Sequence, residues 1–299
     1  MYNCNNQFMN NIQKSGNKYI IFILSYGRPD NVKTLKTLNR LYYSGDYRII
    51  CSDDDPTIKQ YQKNFPNKIL IFNKDEVAKS FDTGDNQDDK RTVVFARNSC
   101  WHFAKQIGYK YFFQFDDDYY GFFYRVDNNG LYNTRNPRIK NINPFLDIMF
   151  HYFLNMNAHS LCMAQAGDFL GGRECTVFTK GLHRKAMNSF LCSTDRPFKF
   201  IGIINEDVST YVNLGSKGYL FFTFCEFELK QETTQGNDGG MTDTYKAEGT
   251  YVKSFFSVMY NPSCVKIGLF GEKNLRLHHK IKWENAVPKI MDEKFKKIR

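Results

Sequence analysis

Three consecutive carboxylates, Asp116-Asp117-Asp118, close an aromatic run that begins at Tyr111. Side by side they repel one another and raise each other's pKa, a cost that a divalent cation removes. Hard oxygen ligands suit Mg2+ or Mn2+. In an extended chain Asp116 and Asp118 project to one side and Asp117 to the other, the spacing of a DxD metal site. An Asp-rich turn or the acidic cap of a following helix would use the same residues. Three other pairs carry chemistry: Arg97-Asn98, Glu206-Asp207 and His278-His279. A cation on Asp116 and Asp118 would bridge the two phosphates of a nucleoside diphosphate and offset the charge that develops as it leaves. The planar fork of Arg97 suits a phosphate or a sugar. Glu206 or Asp207 would take the proton of an attacking hydroxyl, and His278 or His279 would complete the metal shell. Each has a plainer alternative: an exposed helix face for Arg97, carboxylates favoured by a helix dipole, ordinary strand histidines.

The elements that must position these groups follow from hydrophobic pattern. Lys18 to Leu24 is a continuous apolar run, as expected of a strand buried on both faces. Asn31 to Tyr43 spaces Val32, Leu35, Leu38 and Leu41 at helical intervals, with Pro29 near its first turn and Asp30 as its cap. Tyr47 to Cys51 predicts a second strand, Thr57 to Asn64 a helix and Lys68 to Phe72 a third strand. That β-α-β-α-β order begins a doubly wound α/β fold. Thr92 to Ile107 predicts a helix ended by Gly108, and the strand Tyr111 to Phe115 follows. The acidic run therefore falls at the carboxyl end of a strand in a parallel sheet, the edge at which such sheets bind ligands.

Further on, the pattern predicts a helix over Pro144 to Asn155 and strands over Leu161 to Phe169 and Cys175 to Phe178. Phe200 to Ile204 runs into Glu206-Asp207 and a helix from Val208 to Leu214; Tyr219 to Cys225 reads as another strand. A helix over Tyr245 to Tyr260 and a last strand over Leu275 to Ile281 complete the order. Ser80 to Arg91, Asp127 to Asn143 and Gln231 to Thr244 are polar and predict loops, the first and last mobile. No internal repeat or linker is visible, so both halves are expected to share one sheet.

Of the 299 residues 42% are hydrophobic, enough for a substantial core. No run approaches the roughly 18 apolar residues that span a bilayer. Residues 1–17 are polar and lack an apolar segment, so neither signal peptide nor anchor is expected. Cys4, Cys51, Cys100, Cys162, Cys175, Cys192, Cys225 and Cys264 form no CxxC pair; they predict buried thiols in a reducing cytoplasm. Lys and Arg exceed Asp and Glu by 41 − 31, giving +10, and Lys266 to Arg299 is the basic end. Such a surface favours polyanions: nucleic acid, anionic membrane or nucleotide phosphates.

The order of elements resembles the GT-A fold of nucleotide-sugar-dependent glycosyltransferases. The matching residues are Leu24-Ser25-Tyr26-Gly27-Arg28-Pro29, Asp53, Arg97-Asn98, Phe115-Asp116-Asp117-Asp118, Gly171-Gly172, Asn205-Glu206-Asp207 and the late histidines. The resemblance implies one domain, 18–299, with a mixed central sheet flanked by helices. Residues 18–125 would bind the nucleotide sugar and 126–299 the acceptor. It implies that Ser25, Tyr26, Arg28, Asp53, Arg97 and Asn98 bind the donor, with Asp116 and Asp117 at the ribose and Gly171 and Gly172 at the sugar. Asp116, Asp118 and a histidine would hold Mn2+ or Mg2+, and Glu206 or Asp207 would be the base of an inverting transfer. The chain is also similar to the TET/JBP-associated glycosyltransferases of bacteriophages, which decorate hydroxymethylated pyrimidines in DNA. That implies a uridine diphosphate sugar as donor, DNA as acceptor, no membrane insertion, and the cytoplasm of the host cell as location if the chain is viral. No protein partner is evident.

Other readings stay open at this stage. The same fold serves glycan, lipid or protein acceptors, and a nucleotidyltransferase uses the same metal and releases pyrophosphate. A DNA-binding module without catalysis would draw its affinity from phosphate contacts, but no reader motif is present.

Overall fold

The computed structural model describes residues 18–84, 92–175, 177–179, 181–232, 252–270, 275–290, 293 and 296. Its centre is an eight-stranded mixed sheet in the order β3-β2-β1-β4-β7-β6-β8-β5. The strands are β1 Ile20–Leu24, β2 Asp46–Ser52, β3 Ile69–Phe72, β4 Tyr111–Asp116, β5 Tyr119–Tyr124, β6 Ser160–Gln165, β7 Phe190–Ser193 and β8 Phe221–Gln231. The helices on it are α1 Lys33–Arg40, α2 Ile58–Asn64, α3 Lys74–Ala78, α4 Val94–Gln106, α5 Asn143–Leu154 and α6 Glu206–Gly215. A seventh helix, α7, covers 252–260. The hairpin β9 Val265–Phe270 and β10 Arg276–Ile281 is separate from the large sheet, and α8 is Trp283–Ala286. Both sequence halves contribute strands to the sheet, as expected.

β1 is buried on both faces because its alternate residues enter different cores. Ile20, Phe22 and Leu24 pack with α4 and α6, through Phe95, Cys100, Val208 and Val212. Ile21 and Ile23 pack with α1 and α5, through Leu35, Leu38, Leu146 and Met149. β4 splits in the same way, Phe112 to one core and Phe113 and Phe115 to the other. The continuous apolar runs read from the sequence are this two-sided burial.

Strand directions define the functional edge. β1, β2, β3 and β4 are mutually parallel, and Leu24 lies beside Asp116 and Ile50. β7 runs antiparallel to β4 and to β6, so β6 points the same way as β4. β8 is parallel to β6. The carboxyl ends of β1, β2, β4, β6 and β8 and the amino end of β7 therefore share one edge.

Several expectations are corrected. Asp30 does not cap α1: residues 28–31 close a turn through the Asn31 N–H to the Arg28 carbonyl, and Val32 is the capping position. The strand expected over Leu161 to Phe169 stops at Gln165, where the Asp168 carboxylate accepts from the Gln165 N–H and winds Ala166–Phe169 into a 3-10 turn. Cys175, Val177 and Phe178 lie in no strand. Gly171 and Gly172 both take positive φ, +94° and +58°, which ends extension, and Gly172–Glu174 and Val177–Thr179 are 3-10 turns. β5, β7 and β9 were not legible in the pattern. β8 outruns its expected end at Cys225 because it pairs with β6 and β5 along different parts of its length. Residues 1–17, 85–91, 233–244 and 245–251 of the predicted tail, loops and helix lie outside the described residues.

Candidate active site at the carboxyl edge

β4 stops at Asp116, and residues 117 and 118 form a turn. β5 then leaves β4 to pair with β8 at the far side of the sheet. The expected alternation, with Asp116 and Asp118 on one side, therefore does not apply; a turn aims the three carboxylates separately. α1 grips this turn along one helical face. The Thr34 hydroxyl donates to the Asp116 carbonyl at 2.5 Å and accepts from the Tyr119 N–H at 2.9 Å. The Thr34 N–H, an orphan donor of the helix start, donates to the Asp117 carbonyl at 3.0 Å. Thr37 and Arg40, one and two turns on, donate to the Tyr119 and Tyr120 carbonyls at 3.0 and 2.7 Å. Thr34→Val keeps the shape and removes both hydroxyl bonds. Each buried group left unpaired costs about 1–3 kcal/mol, and a domain of this size loses roughly 2–4 °C of Tm per kcal/mol. A melting curve is expected to shift down by several degrees.

Each aspartate has a different partner. Asp116 Oδ1 accepts from Arg97 Nη2 at 2.9 Å. Burial is the main cause that lifts Asp116 to about 6, with Arg97 pulling the other way. Asp117 is nearly buried and saturated: Ser25 Oγ donates to Oδ2 at 2.6 Å and Arg28 Nη1 to Oδ1 at 2.8 Å. Burial still raises its pKa. Asp118 is the exception, because among the described residues its Oδ1 is buried without a hydrogen-bond partner. Burial, then the charges of Asp116 and Asp117, push it up to about 7. Such an orphan costs about 1–3 kcal/mol. The fully buried rings of Phe112, Phe113 and Phe115 contribute roughly 1.5–3 kcal/mol each, which outweighs it.

Arg97 is only 2% exposed, so it is no surface residue of α4. Its Nε donates to Glu206 Oε1 at 3.0 Å, and it lies over the Phe190 ring at 5.1 Å. The fork expected to meet phosphate thus joins Asp116 to Glu206. Burial opposes its charge, but the two carboxylates raise its pKa all the same. Asn98, expected at the donor, is a structural clamp: Nδ2 donates to the Phe200 carbonyl at 3.0 Å and Oδ1 accepts from the Phe200 N–H at 2.9 Å. That clamp fixes the segment leading into α6.

Glu206 and Asp207 open α6, where the helix dipole favours negative charge. Asn205 precedes them with φ +52°. Glu206 is held by Arg97, whereas among the described residues Asp207 Oδ1 accepts from its neighbour's N–H, that of Val208, at 2.7 Å. Burial first, and then the Glu206 charge, raise the Asp207 pKa.

The remaining predicted residues lie along the same edge or beyond it. Tyr26 follows β1, is 39% exposed, and has Lys74 Nζ 4.8 Å from its ring centre. Asp53 follows β2 and accepts from Asn73 Nδ2 at 2.5 Å. Gly171 and Gly172 form their left-handed turn after β6, at the carboxyl edge. His278 and His279 sit on β10, their rings 4.2 Å apart. Among the described residues no three His, Cys, Asp or Glu side chains are grouped to hold a metal unaided. The metal shell expected from the sequence is Asp116, Asp118 and one of His278 and His279. Sequence reasoning missed Thr34, Thr37 and Tyr61, whose hydroxyl meets Ser25 Oγ at 2.7 Å and accepts from the Arg28 N–H at 2.8 Å. It also missed Asn188, whose carbonyl lies 3.4 Å from Arg97 Nη1. The i, i+3 spacing of Thr34 and Thr37 beside the apolar stripe of Leu35, Leu38 and Leu41 is the available signal.

A sequence model of the family described as TET-Associated Glycosyltransferase matches residues 19–240. No curated protein sequence matches the chain. Among solved structures, glucosyl-3-phosphoglycerate synthase from Mycobacterium tuberculosis with Mn2+ and UDP-glucose is similar at 9% identity, 91% of this chain, 90% of that one and a TM-score of 0.44. The same enzyme with Mn2+, UDP and phosphoglyceric acid gives 10% identity, 89% and 87% coverage and 0.43. A cytidylyltransferase from Leptospira borgpetersenii gives 13%, 70% and 76%, and 0.34. At such low TM-scores the chemistry must rest on this chain's own residues.

Proposed function

Because this chain belongs to the TET-associated glycosyltransferase family, we propose that it moves a sugar from a uridine diphosphate donor to the hydroxymethyl group of a modified pyrimidine in DNA. The single observation that carries the donor half is the carboxylate turn at the sheet edge, with Asp118 Oδ1 buried and orphaned. An acceptor-only oxygen without a donor suits a divalent cation better than any other partner. Asp118, with Asp116 beside it, would hold Mn2+ or Mg2+. Such ions keep waters and complete their shell from substrate phosphates, so a short set of protein ligands fits. When bound, the ion offsets the negative charge of the leaving diphosphate.

The protein's own groups do the rest. Arg28 and Ser25 fix Asp117 and so the turn; Arg97 fixes Asp116 and Glu206 relative to each other. Glu206 is engaged by Arg97, which leaves Asp207 as the base. The acceptor hydroxyl oxygen bonds to the anomeric carbon, and the bond from that carbon to the diphosphate breaks with its electron pair on the diphosphate. The hydroxyl proton passes to Asp207, and a single displacement from the face opposite the diphosphate inverts the sugar configuration. The DNA acceptor is supported by the family's description and by the net charge of +10.

The test is to incubate the full chain with uridine diphosphate sugars, Mn2+ and an oligonucleotide carrying hydroxymethylcytosine or hydroxymethyluracil. Uridine diphosphate release and a sugar-sized mass gain on the base are expected. Chelation with EDTA and Asp118→Asn should each abolish most of it. Release that is the same with unmodified DNA would overturn the acceptor, and release of pyrophosphate would point to nucleotidyl transfer.

A further inference from the structure

β9 and β10 form a two-stranded ribbon apart from the large sheet and beyond residue 240, where the family match ends. Side chains alternate along each strand, and residues paired across the ribbon share a face. Val265 and His279 belong to the inner face and are 2% and 6% exposed. His279 Nδ1 lies 3.5 Å from Asn205 Nδ2, and Asn261 Nδ2 donates to the Ser209 carbonyl at 3.2 Å. The ribbon therefore starts against α6, beside its acid pair. The outer face is basic. Lys266 stands directly opposite Lys280, and the Lys282 N–H continues the ladder to the Cys264 carbonyl at 2.7 Å. All three lysines are exposed. The Lys280 stem lies across Gly268, where a Cβ would stand 2.7 Å from its Cδ and Cε. Like charges directly opposite one another destabilise a ribbon. From Ser263 to Ile290 there are six Lys and Arg against two acids, so this stretch carries four of the ten net charges. An anion lying along the outer face offsets the repulsion.

One residue past Lys282 a row of rings begins. The Trp283 ring is nearly parallel to that of Tyr211, at 8° with centres 6.1 Å apart, and to that of His183, at 11° and 6.5 Å. Tyr211 is buried on α6, Trp283 is half-buried on α8 and His183 is exposed. The row thus leads from the core to solvent. Aromatic rings beside a basic strip are the pattern by which proteins hold single-stranded nucleic acid, since every base has a face that stacks. Enzymes that act on a base use single strands or take the base out of the duplex stack. The nucleotides next to the reacting one then have phosphates and bases that need a seat.

We propose that the outer face of the β9–β10 ribbon and the ring row ending at His183 carry the acceptor DNA strand. Lys266, Lys280 and Lys282 meet its phosphates, and a base stacks on His183. This rests on the DNA acceptor of the proposed function and adds where the strand lies. The inner face of the same ribbon abuts Asn205, so a strand held on the ribbon passes near Glu206 and Asp207. Its contacts are residues that the transfer itself does not use. The ring row favours a strand with bases over an anionic membrane surface.

The experiment uses the full chain. Lys266→Gln/Lys280→Gln/Lys282→Gln is compared with the same three lysines changed to Arg. A control, Lys59→Gln/Lys63→Gln/Lys105→Gln, removes equal charge from exposed positions on α2 and α4. Affinity for a single-stranded hydroxymethylcytosine oligonucleotide is measured over a range of salt, beside affinity for uridine diphosphate and for phosphatidylserine vesicles. The ribbon Gln triple is expected to bind the oligonucleotide about tenfold more weakly, with its salt slope reduced by about 2. The Arg triple, the control triple and uridine diphosphate binding should stay near wild type. His183→Ala should lose about fivefold with the slope unchanged, and His183→Phe should regain it. An unchanged slope in the ribbon triple, or an equal drop in the control, overturns the phosphate contacts. Wild-type affinity in His183→Ala overturns the stack. Loss of vesicle binding without loss of oligonucleotide binding assigns an anionic membrane and overturns the proposal. Sugar transfer by the wild type is read separately. Transfer onto hydroxymethylated DNA with an unchanged slope in the triple refutes the ribbon alone, whereas absence of transfer refutes the acceptor.

Discussion

Arg97→Ala is expected to destabilise the fold by about 3–5 kcal/mol and to abolish transfer. Removal of one partner from a buried ion pair leaves an uncompensated charge, and that range is typical of it. Here two carboxylates, Asp116 and Glu206, lose the same guanidinium at once, and they face each other across the gap it leaves. Domains hold only about 5–15 kcal/mol in total, so the change consumes a large fraction. Urea denaturation at neutral pH measures it. Arg97→Lys should recover part of the stability, since charge remains, but one compact ammonium lacks the fork that reaches both carboxylates. Its transfer rate should stay at least about tenfold below wild type, because loss of orientation alone costs that much. Glu206→Gln on top of Arg97→Ala should cost less than the two single changes added, as expected of coupled neighbours. A stability loss under about 1 kcal/mol for Arg97→Ala would show that the bridge is not made.

Asp207→Asn is expected to lower kcat by roughly a hundred- to ten-thousandfold, the usual range for a removed general base. Asn keeps the oxygen that accepts from the Val208 N–H, so α6 should start where it does now and Tm should hold. The KM for the donor should change little, since the residue acts on the acceptor hydroxyl. Glu206→Gln gives the contrast. It weakens the Arg97 bridge, so its effect should include a lower Tm and weaker donor binding. NMR of the first-formed product should show an inverted anomeric carbon. A full rate in Asp207→Asn, or retention of configuration, would sink the assignment of the base.

The sequence by itself determined what local pattern can carry. A strand buried on both faces needs a continuous apolar run, so β1, β2 and β4 were legible, as was the acidic end of β4. Helical spacing placed α1, α4 and α6, and with them Arg97 and Glu206-Asp207 near one edge. Strands that join the sheet only through distant partners were not legible: β5 pairs with β8, and β7 lies between β4 and β6. The tertiary structure alone decided which charge meets which. Arg97 and Glu206 stand 109 residues apart in sequence, and Asn205 and His279 stand 74 apart. A helical period does not say whether an arginine at the margin of its apolar face turns out to water or in to two carboxylates. Nor does strand alternation say that the turn at Asp117 breaks the two-sided DxD geometry, leaving Asp118 Oδ1 without a hydrogen-bond partner among the described residues. Those outcomes depend on desolvation and on partners supplied by other elements, and both exist only once the sheet is assembled.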